Sequence, residues 1–452
     1  MEHSFQFFEN RDCRYFPCHD GLSALNCLFC YCPLYARVPC PGNPQFIRKD
    51  DGRMIKKCTA CTFPHEPENY DRIMRLLKSP APGAGAAVSG ADSPNGDNPN
   101  GGCHGGECRD RGADFLDFSV NVHPLGMPPA VQRALAGLMD SCVRYPDRQC
   151  TALKQALSRH CSVPEDMVCA GNGASEIITL AVDALSPRTA LLVSPTFSGY
   201  ERALAARHAA VSFCPLLREE DFCFTGRFAQ AFFQQLEKRP DIVFLCQPNN
   251  PTGTCIPPDM LQNIAQRCER QGTFLVVDEC FLGFVRGGAA LSARRLLASY
   301  THVLVVDAAT KLYAMPGLRL GWALCGNRAL LRRMEQLQSE WSVSGPAQLA
   351  GIAALQEDGW LEKTQHLVEG GRQFLSAGLS ECGCTVYPGT ANFLLFTALR
   401  RLDEGLLRRN ICIRSSAGFH GLGDLDYRIA VLRESENRRL VTAVREVLDE
   451  SE

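Results

Sequence analysis

The chain has 452 residues, 45% of them hydrophobic, so it is long enough to form more than one domain with a sizeable core. Its formal net charge of −2 gives no reason to expect nucleic acid or an anionic membrane as a partner. No run approaches the ~20 consecutive apolar residues of a membrane span, and residues 1–10 lack the pattern of a secretory signal. We therefore expect a soluble cytoplasmic protein.

Cysteines are concentrated at the start of the chain. Of the 24 cysteines, fourteen are scattered singly from Cys142 to Cys412, mostly in apolar runs, as is typical of small buried side chains. Eight others form two C-x2-C pairs and four single positions near His19 and His65: Cys13, Cys18, Cys27, Cys30, Cys32, Cys40, Cys58 and Cys61. In a small cytosolic module these pairs predict metal ligation rather than disulfides.

The cysteine pattern leaves the identity of the metal open. Eight thiolates could complete two four-ligand zinc sites, or one iron–sulfur cluster with cysteines left over. The segments 26–35 and 58–65 resemble a small cysteine-rich domain that is presumed to bind metal. We favour a structural site over a catalytic one, because a module of this size has little core of its own.

A change of composition divides the chain. Residues 79–102 consist almost entirely of Ser, Pro, Gly, Ala, Asn and Asp, which predicts a flexible linker because such a segment buries little apolar surface. It separates a cysteine-rich domain, residues 1–78, from a second domain, residues 103–452. Within the second domain we expect a large subdomain at about 145–325 and a smaller α/β subdomain formed by 326–452 with 103–144.

The second domain has the alternating pattern of an α/β fold. Short branched apolar runs at 190–193, 242–246, 274–277 and 303–306 predict strands buried on both faces of a mainly parallel sheet. A helix is predicted between the second and third runs, where one apolar face precedes Gly272. Because ligands bind at the carboxyl ends of strands in such sheets, the residues that follow these runs are the candidates for function.

Four unusual features follow predicted strands. The segment 171–176 is rich in glycine and leads into a helix, so its backbone could approach a phosphate. The segment 249–253 contains Asn250 in what could equally be an ordinary turn. Asp278 ends an apolar run, where an unpaired acid is costly, and Lys311 follows another such run. Each feature alone is weak, but their order and spacing together are specific.

From about His104 onwards, these motifs resemble the aspartate-aminotransferase fold family, the fold type I enzymes that use pyridoxal phosphate (PLP). The resemblance implies that the fold is α/β with helices on both faces of the sheet. It also implies that Lys311 holds the cofactor as a Schiff base, that Asp278 pairs with the protonated pyridine nitrogen, and that Asn250 donates to the ring oxygen. An acid at the pyridine nitrogen keeps the ring an electron sink.

The same resemblance assigns the remaining contacts of the cofactor. Phe197 would stack on the ring, and Tyr145 would reach the phosphate in a neighbouring subunit, which implies a homodimer. Four positions would hold the cofactor phosphate: Gly173, Ala174, Ser175 and Arg319.

Finer matches distinguish between reactions of this fold family. Segments 104–106, 116–121, 278–281, 311–322 and 341–343 are most similar to those of the threonine-phosphate decarboxylases. That family converts L-threonine O-3-phosphate to (R)-1-amino-2-propanol O-2-phosphate and CO2 for the cobalamin nucleotide loop. Its nearest relatives, the histidinol-phosphate aminotransferases, usually carry a tyrosine three residues after the pyridine aspartate, where this chain has Phe281.

A substrate with a carboxylate and a phosphate calls for two cationic anchors, and the arginine fork suits both groups. Arg414 and Arg428 each lie in or next to an apolar segment and match arginines of the decarboxylase family. The resemblance adds His104, Ser119 and Asn121 as further contacts of the substrate. Four positions depart from the family pattern and put the substrate in doubt: Ala308, Ser344, Ser416 and Leu432.

Three alternatives to the decarboxylase remain open from the sequence. A histidinol-phosphate-type aminotransferase would use the same cofactor residues. A decarboxylase of serine phosphate would need to discriminate only one methyl group, which is worth ~1–3 kcal/mol. A metal- or redox-responsive regulator is disfavoured, because no basic helix-turn-helix pattern is present and Lys311, Asp278 and Asn250 are all intact.

Overall fold

The computed structural model describes residues 7–19, 22, 24–29, 32–35, 40–42, 44–48, 54–58, 61–78, 114–138 and 142–450. The chain forms two compact units, Met1–Asn100 and Gly101–Glu452, called here the cysteine-rich unit and the α/β unit. The predicted linker, residues 79–102, lies outside the described residues. Within the described residues, no helix is both long enough and apolar enough to cross a membrane.

The cysteine-rich unit is built from short elements. Its antiparallel hairpin and C-terminal helix are β1 (Gln45–Arg48), β2 (Met54–Lys57) and α1 (Tyr70–Lys78). Three 3-10 helices accompany them: Cys27–Phe29, Phe63–His65 and Pro67–Asn69. Few of its described side chains are buried, among them Leu25, Leu34 and Ile73. Its apolar core is therefore small.

The strands of the α/β unit are β3 (Leu116–Asp117), β4 (Val168–Gly171), β5 (Thr189–Ser194), β6 (Ala210–Pro215), β7 (Ile242–Cys246), β8 (Phe274–Asp278), β9 (Val303–Ala308), β10 (Gly321–Cys325), β11 (Thr385–Val386), β12 (Phe393–Thr397), β13 (Ile411–Cys412), β14 (Arg414–Ser415) and β15 (Asp426–Ala430). Its helices are α2 (Pro129–Ala136), α3 (Thr151–Cys161), α4 (Gly173–Leu185), α5 (Ser198–Ala205), α6 (Gly226–Leu236), α7 (Pro258–Gln271), α8 (Ala309–Leu312), α9 (Arg328–Leu337), α10 (Gly345–Leu355), α11 (Trp360–Glu381), α12 (Asp403–Arg408) and α13 (Glu434–Asp449).

Seven strands form the central sheet in the order β4-β10-β9-β8-β7-β5-β6. Only β10 runs antiparallel to its neighbours, β4 and β9. Every residue of β7 is buried because helices cover both faces of the sheet. The predicted strands correspond to β5, β7, β8 and β9, and α7 ends at Gly272, whose φ of 74° suits glycine. The expected α/β fold is confirmed.

The smaller sheet, in the order β11-β12-β15-β14, is antiparallel and packs against α11 and α13. β3 pairs with β13, and Phe118, which follows β3, packs in the core of the smaller sheet.

The boundary between subdomains lies further along the chain than predicted. The predicted small subdomain begins near residue 326, but Leu331 of α9 and Ala350 of α10 belong to the cores on the two faces of the large sheet. Val131 of α2 also joins the large core. The change of core occurs within α11, where Trp360 packs with the large sheet and Leu375 with the small one. Amphipathic periodicity predicts which face of a helix is buried, but it does not predict against which sheet that face packs.

Candidate active site

A cavity of about 300 Å³ lies where the carboxyl ends of β7 and β8 and the start of α8 meet residues of the smaller sheet. Eleven of the residues predicted to bind cofactor or substrate line it: Ser119, Asn121, Ala174, Ser175, Phe197, Asn250, Asp278, Lys311, Arg319, Arg414 and Arg428. Residues separated by up to 309 positions thus meet in one place.

Asp278 ends β8 with its carboxylate held on both oxygens. The backbone N–H of Cys280 donates to Oδ1 at 3.1 Å, and the Tyr200 hydroxyl donates to Oδ2 at 2.7 Å. Tyr200 lies on α5, is fully buried, and stacks on Phe244. Burial and the negative charge of Asp278 raise the pKa of Tyr200 well above its ordinary value, so the phenol remains a donor. Sequence reasoning missed Tyr200, although it follows Phe197 by one helical turn.

Lys311 lies in α8, directly after β9. Loss of hydration, followed by the positive charge of Arg428, lowers the pKa of its amine from 10.5 to about 8. A lysine with this pKa is partly neutral at physiological pH. Only the neutral amine is a nucleophile, so the environment of Lys311 suits the formation of an imine with an aldehyde.

An anion-binding cradle lies at the start of α4. A Cβ at Gly173, where φ is 79°, would be 2.6 Å from Nη2 of Arg319, so only glycine permits this approach. A Cβ at Gly321 would be 2.5 Å from the backbone N of Ala174. The guanidinium and the N–H groups of the first turn, including Ser175, therefore converge as a phosphate group requires.

Arg428 is buried and reaches two partners across the cavity. It donates to Oδ1 of Asn250 at 2.7 Å and to the carbonyl oxygen of Ser119 at 2.8 Å. Burial, and then the positive charge of Arg414, lower the pKa of its guanidinium. Arg414 and Arg428 are directly opposite in the β14–β15 ladder. Like charges so placed are destabilising, which indicates a site for an anion.

Several buried polar atoms of this cavity have no hydrogen-bond partner within the described residues, and they bear on whether PLP fits it. Within the described residues, neither amide atom of Asn121 has a hydrogen-bond partner, and the same holds for Nε of Arg428. Buried polar groups are seldom left unpaired in proteins, so these atoms point to a polar ligand. The cradle, the activated lysine and the buried aspartate match the phosphate, aldehyde and pyridine nitrogen of PLP. The residues fit the cofactor.

Two aromatic residues border the cavity. Phe197 precedes α5 and meets Tyr200 edge-on, with ring centroids 5.4 Å apart. Phe281 contacts Phe393 edge-on, with ring centroids 5.0 Å apart, so the position three residues after Asp278 supplies an apolar edge and no hydroxyl.

The Ser119 hydroxyl donates to Oδ1 of Asp117 at 2.5 Å. Ser119 therefore contacts Arg428 through its carbonyl oxygen and not through its hydroxyl.

One predicted site residue of the described part of the chain lies outside this cavity. Tyr145 is 81% exposed and packs on Trp341, with ring centroids 4.5 Å apart, outside the cavity of its own chain. Its predicted contact is with a neighbouring subunit and stays a prediction. His104 lies outside the described residues.

The cysteine-rich unit has a cavity of its own, of about 630 Å³. Its lining contains five of the eight predicted cysteine ligands and two histidines: Cys18, Cys32, Cys40, Cys58, Cys61, His19 and His65. Of the other three, Cys30 lies outside the described residues, and Cys13 and Cys27, which are described, do not line the cavity. Sγ of Cys27 instead accepts from the backbone N–H of Asn10 at 3.4 Å.

Three thiols of this cavity act electrostatically on a fourth, that of Cys32. Burial raises the pKa of the Cys32 thiol, and its neighbours Cys40, Cys58 and Cys61 raise it further. A Cβ at Gly42 would lie 2.7 Å from Sγ of Cys61, so the backbone passes directly beside that sulfur. Burial likewise lowers the pKa of His65.

Comparison with known proteins identifies both parts of the chain. The model of the family "Aminotransferase class I and II" matches residues 113–444, and that of the "Cysteine-rich small domain" matches residues 4–82. A threonine-phosphate decarboxylase of Salmonella typhimurium is 39% identical over 356 residues, covering 76% of this chain and 96% of the relative. A histidinol-phosphate aminotransferase of Nitratidesulfovibrio vulgaris is 33% identical, covering 76% of this chain and 91% of the relative.

Solved structures agree with the fold. The histidinol-phosphate aminotransferase from Clostridium acetobutylicum has a TM-score of 0.69 and 26% identity, covering 74% of this chain and 99% of its own. The L-threonine-O-3-phosphate decarboxylase from Porphyromonas gingivalis has a TM-score of 0.65 and 21% identity, covering 74% of this chain and 100% of its own, and supports the fold alone. The chain belongs to the aminotransferase class I and II family of PLP-dependent proteins and carries a cysteine-rich small domain in residues 4–82.

Proposed function

We propose that this protein is a PLP-dependent carboxy-lyase that converts L-threonine O-3-phosphate to (R)-1-amino-2-propanol O-2-phosphate and CO2. The product is the one that the resemblance to threonine-phosphate decarboxylases assigns to assembly of the cobalamin nucleotide loop. When bound, PLP supplies a sink for the electron pair released as the bond between Cα and the carboxylate breaks. The residues of the chain bind and orient the reactants around that chemistry.

The cofactor would be held at both ends. Lys311 would bind its aldehyde and Asp278, held by Tyr200, its pyridine nitrogen. Arg319 and the first turn of α4 would hold its phosphate. Asn250 accepts from Arg428 through Oδ1, so its amide N–H is left to donate to the ring oxygen.

The opposed arginines carry the assignment of the substrate. Arg414 and Arg428 lie opposite each other on adjacent strands, and both line the cavity beside Lys311. A substrate with two anionic groups neutralises both, which a substrate with one anion does not. Binding both groups would orient the amino acid so that the bond from Cα to the carboxylate, rather than the Cα–H bond, is the one that breaks.

Lys311 is the group best placed to return a proton. Decarboxylation replaces the carboxylate on Cα with a proton, so the reaction consumes one proton for each CO2 released. A lysine whose pKa is about 8 can both hold and give up a proton near neutral pH. Nζ of Lys311 would deliver that proton to Cα.

The experiment that tests this proposal is incubation of the holoenzyme with threonine phosphate and no keto acid, with CO2 and aminopropanol phosphate measured together. Equal yields of both products are expected. A parallel reaction with histidinol phosphate and 2-oxoglutarate tests the aminotransferase alternative. Turnover that requires the keto acid and releases no CO2 would contradict the proposal.

Serine phosphate is the matched substrate control, because it lacks only the methyl group of threonine phosphate. One methyl in a fitted pocket contributes ~1–3 kcal/mol, so we expect kcat/KM to fall by about 10- to 200-fold with serine phosphate. A higher kcat/KM with serine phosphate would reassign the substrate while leaving the chemistry unchanged.

A homodimer is part of the proposal, since Val143 and Tyr145 are 80% and 81% exposed and Trp341 is 40% exposed. Apolar side chains exposed in this way are typical of protein–protein contacts. A cytoplasmic location is also proposed, because none of the cysteines in the described residues forms a disulfide. Light scattering that gives the mass of a monomer at micromolar concentration would contradict the dimer.

For the cysteine-rich unit, we propose that Cys32, Cys40, Cys58 and Cys61 hold one zinc ion. They line one cavity, include a C-x2-C pair, and give the four sulfur ligands of a closed structural site. Metal analysis of anaerobically prepared protein tests this. Iron with acid-labile sulfide in place of zinc would support the alternative of an iron–sulfur cluster.

A further inference from the structure

Three potential ligands that line the cavity of the cysteine-rich unit lie close to one another. The ligand atoms of Cys18, His19 and His65 all lie within 4.8 Å of one another, and within the described residues they are the group of three found at that spacing. The two imidazole rings are tilted together with centroids 4.5 Å apart. Cys18 and His19 are adjacent in sequence, whereas His65 is brought close to them by the fold.

The distances agree with coordination of one ion. Nδ1 of His19 lies 3.3 Å from Sγ of Cys18. In a tetrahedral zinc site, bond lengths of about 2.3 Å to sulfur and 2.0–2.1 Å to nitrogen place the two ligand atoms roughly 3.5 Å apart. The separation of these two atoms is therefore already close to that of ligands of one ion, and the ligand atom of His65 lies within 4.8 Å of both residues' ligand atoms.

The environment of His65 is that of a metal-binding imidazole. Its side chain is buried, and Nδ1 lies 3.2 Å from the carbonyl oxygen of Asn26. A carbonyl can only accept, so Nδ1 carries the hydrogen and Nε2 carries the lone pair. Histidines that bind metals have this arrangement, in which the second ring nitrogen donates to a carbonyl or carboxylate.

His19 supplies an independent sign of a missing partner. Its Nε2 is buried and has no hydrogen-bond partner within the described residues. A polar atom is rarely buried without a partner in a native protein. When Nδ1 of His19 binds the ion beside Cys18, Nε2 carries the hydrogen and donates to a polar partner, as the second ring nitrogen of a metal-bound histidine does.

We propose that Cys18, His19 and His65 form a metal site of mixed nitrogen and sulfur ligands, which takes a borderline first-row ion such as Zn²⁺ and is separate from the site of the four thiols. Imidazole and thiolate together select zinc over the hard ions that prefer oxygen. The cysteine-rich unit then holds two ions along one cavity. This inference is independent of the decarboxylation, because none of the three residues lines the cavity of the α/β unit.

The test uses the full-length protein prepared anaerobically, with zinc per chain measured by mass spectrometry. Wild type is expected to hold two ions, His19→Gln one, and Cys58→Ser one. The matched control is His208→Gln, which changes an exposed histidine of the α/β unit and should keep both. His19→Gln carries the test because His65→Gln would also remove the contact with Asn26 and could unfold the unit.

Cobalt substitution gives a second readout of the same site. Co²⁺ added to metal-depleted wild type should produce two sets of visible bands, one of sulfur-only character and one of mixed character. His19→Gln should lose the mixed set and keep the sulfur-only set. A single ion in wild type, unchanged zinc and cobalt spectra in His19→Gln, or loss of every ion in that variant would each overturn the proposal of a separate site.

Discussion

The α/β unit surrounds its cavity with buried side chains on both faces of a seven-stranded sheet, whereas the cysteine-rich unit has few buried apolar residues around its own. In the first, hydrogen bonds with the buried residues Tyr200 and Asn250 hold Asp278 and Arg428 in the cavity. In the second, the side chains around the cavity are themselves the potential ligands. The first site is therefore positioned by the core of its unit, whereas the second would depend for its stability on the proposed metal.

Metal removal should produce the largest difference in stability between the two units. Binding of structural zinc contributes about 10–16 kcal/mol to the folding of small zinc domains, which have little other source of stability. Treatment with a chelator should therefore make the cysteine-rich unit sensitive to protease while the α/β unit stays resistant. Chelator saturated with zinc is the control. A metal-free cysteine-rich unit that resists protease would remove the basis of the comparison.

Replacing Lys311 with Ala should abolish the chemistry without affecting the metal. Loss of both the cofactor linkage and the proton donor should lower kcat/KM by about 10⁴-fold, the upper range for such a group. Steady-state kinetics measure this, and zinc content should be unchanged. Lys238→Ala, at an exposed position, is the control. Activity within tenfold of wild type would exclude Lys311 from the reaction.

Arg428→Ala should act mainly through substrate binding. Truncating one partner of a buried charged contact costs about 2–5 kcal/mol, so KM for threonine phosphate should rise by at least ~30-fold. Arg428→Lys should recover part of this, because the charge returns without the fork. Arg332→Ala, at an exposed position, should behave as wild type. An unchanged KM for Arg428→Ala would move the anion site elsewhere.

Lys311→Met should stabilise the cofactor-free protein at neutral pH. Because the amine has a pKa of about 8 when folded and 10.5 when unfolded, the unfolded chain binds the proton more tightly below the latter value. Protonation therefore favours unfolding, fully below pH 8 and less as the pH rises towards 10.5. We expect the free energy of unfolding to rise by about 3 kcal/mol at pH 7, a gain that vanishes above pH 10.5. Denaturant titrations across pH measure it, and a gain that grows with pH would refute the assigned shift.

Tyr200→Phe should have the smallest effect, about tenfold on kcat with little change in KM, because it removes one hydrogen bond to a charged group. The variant keeps the packing on Phe244 and loses only the donor to Asp278. The absorption spectrum of the holoenzyme should shift with pH differently from wild type, which a packing role would not produce. Tyr300→Phe is the control. Unaltered spectra and kcat would leave Tyr200 as a core residue.

Sequence patterns predicted the strands and the residues that follow them, because buried parallel strands have a strong local signal and their ends converge. Lys311 and Asp278 were singled out in this way, whereas Arg428, which lies within a strand of the smaller sheet, was selected by its resemblance to the decarboxylase family. Tyr200 could not be, since its partner lies 78 residues away and an aromatic residue on a helix face is typical of any core. The subdomain boundary also differs from the predicted one, because helix periodicity does not say against which sheet a helix packs.

In the cysteine-rich unit, the sequence pattern predicted the chemistry of the site but omitted residues that line its cavity. Spacing predicted metal binding, but a list of eight cysteines gave His19 and His65 no role and included Cys13 and Cys27, which do not line the described cavity. C-x2-C pairs are visible in sequence, whereas the contact of His65 with Asn26, 39 residues away, depends on the fold.

The facing arginines of β14 and β15 have a consequence for the resting enzyme. Two guanidinium groups on adjacent strands repel each other across the edge of the smaller sheet, and this repulsion disappears when a doubly anionic molecule settles between them. Substrate binding and local order in that sheet should therefore rise together. Amide hydrogens of β15 should exchange with solvent more slowly in the presence of inorganic phosphate, even when no carbon–carbon bond can be broken.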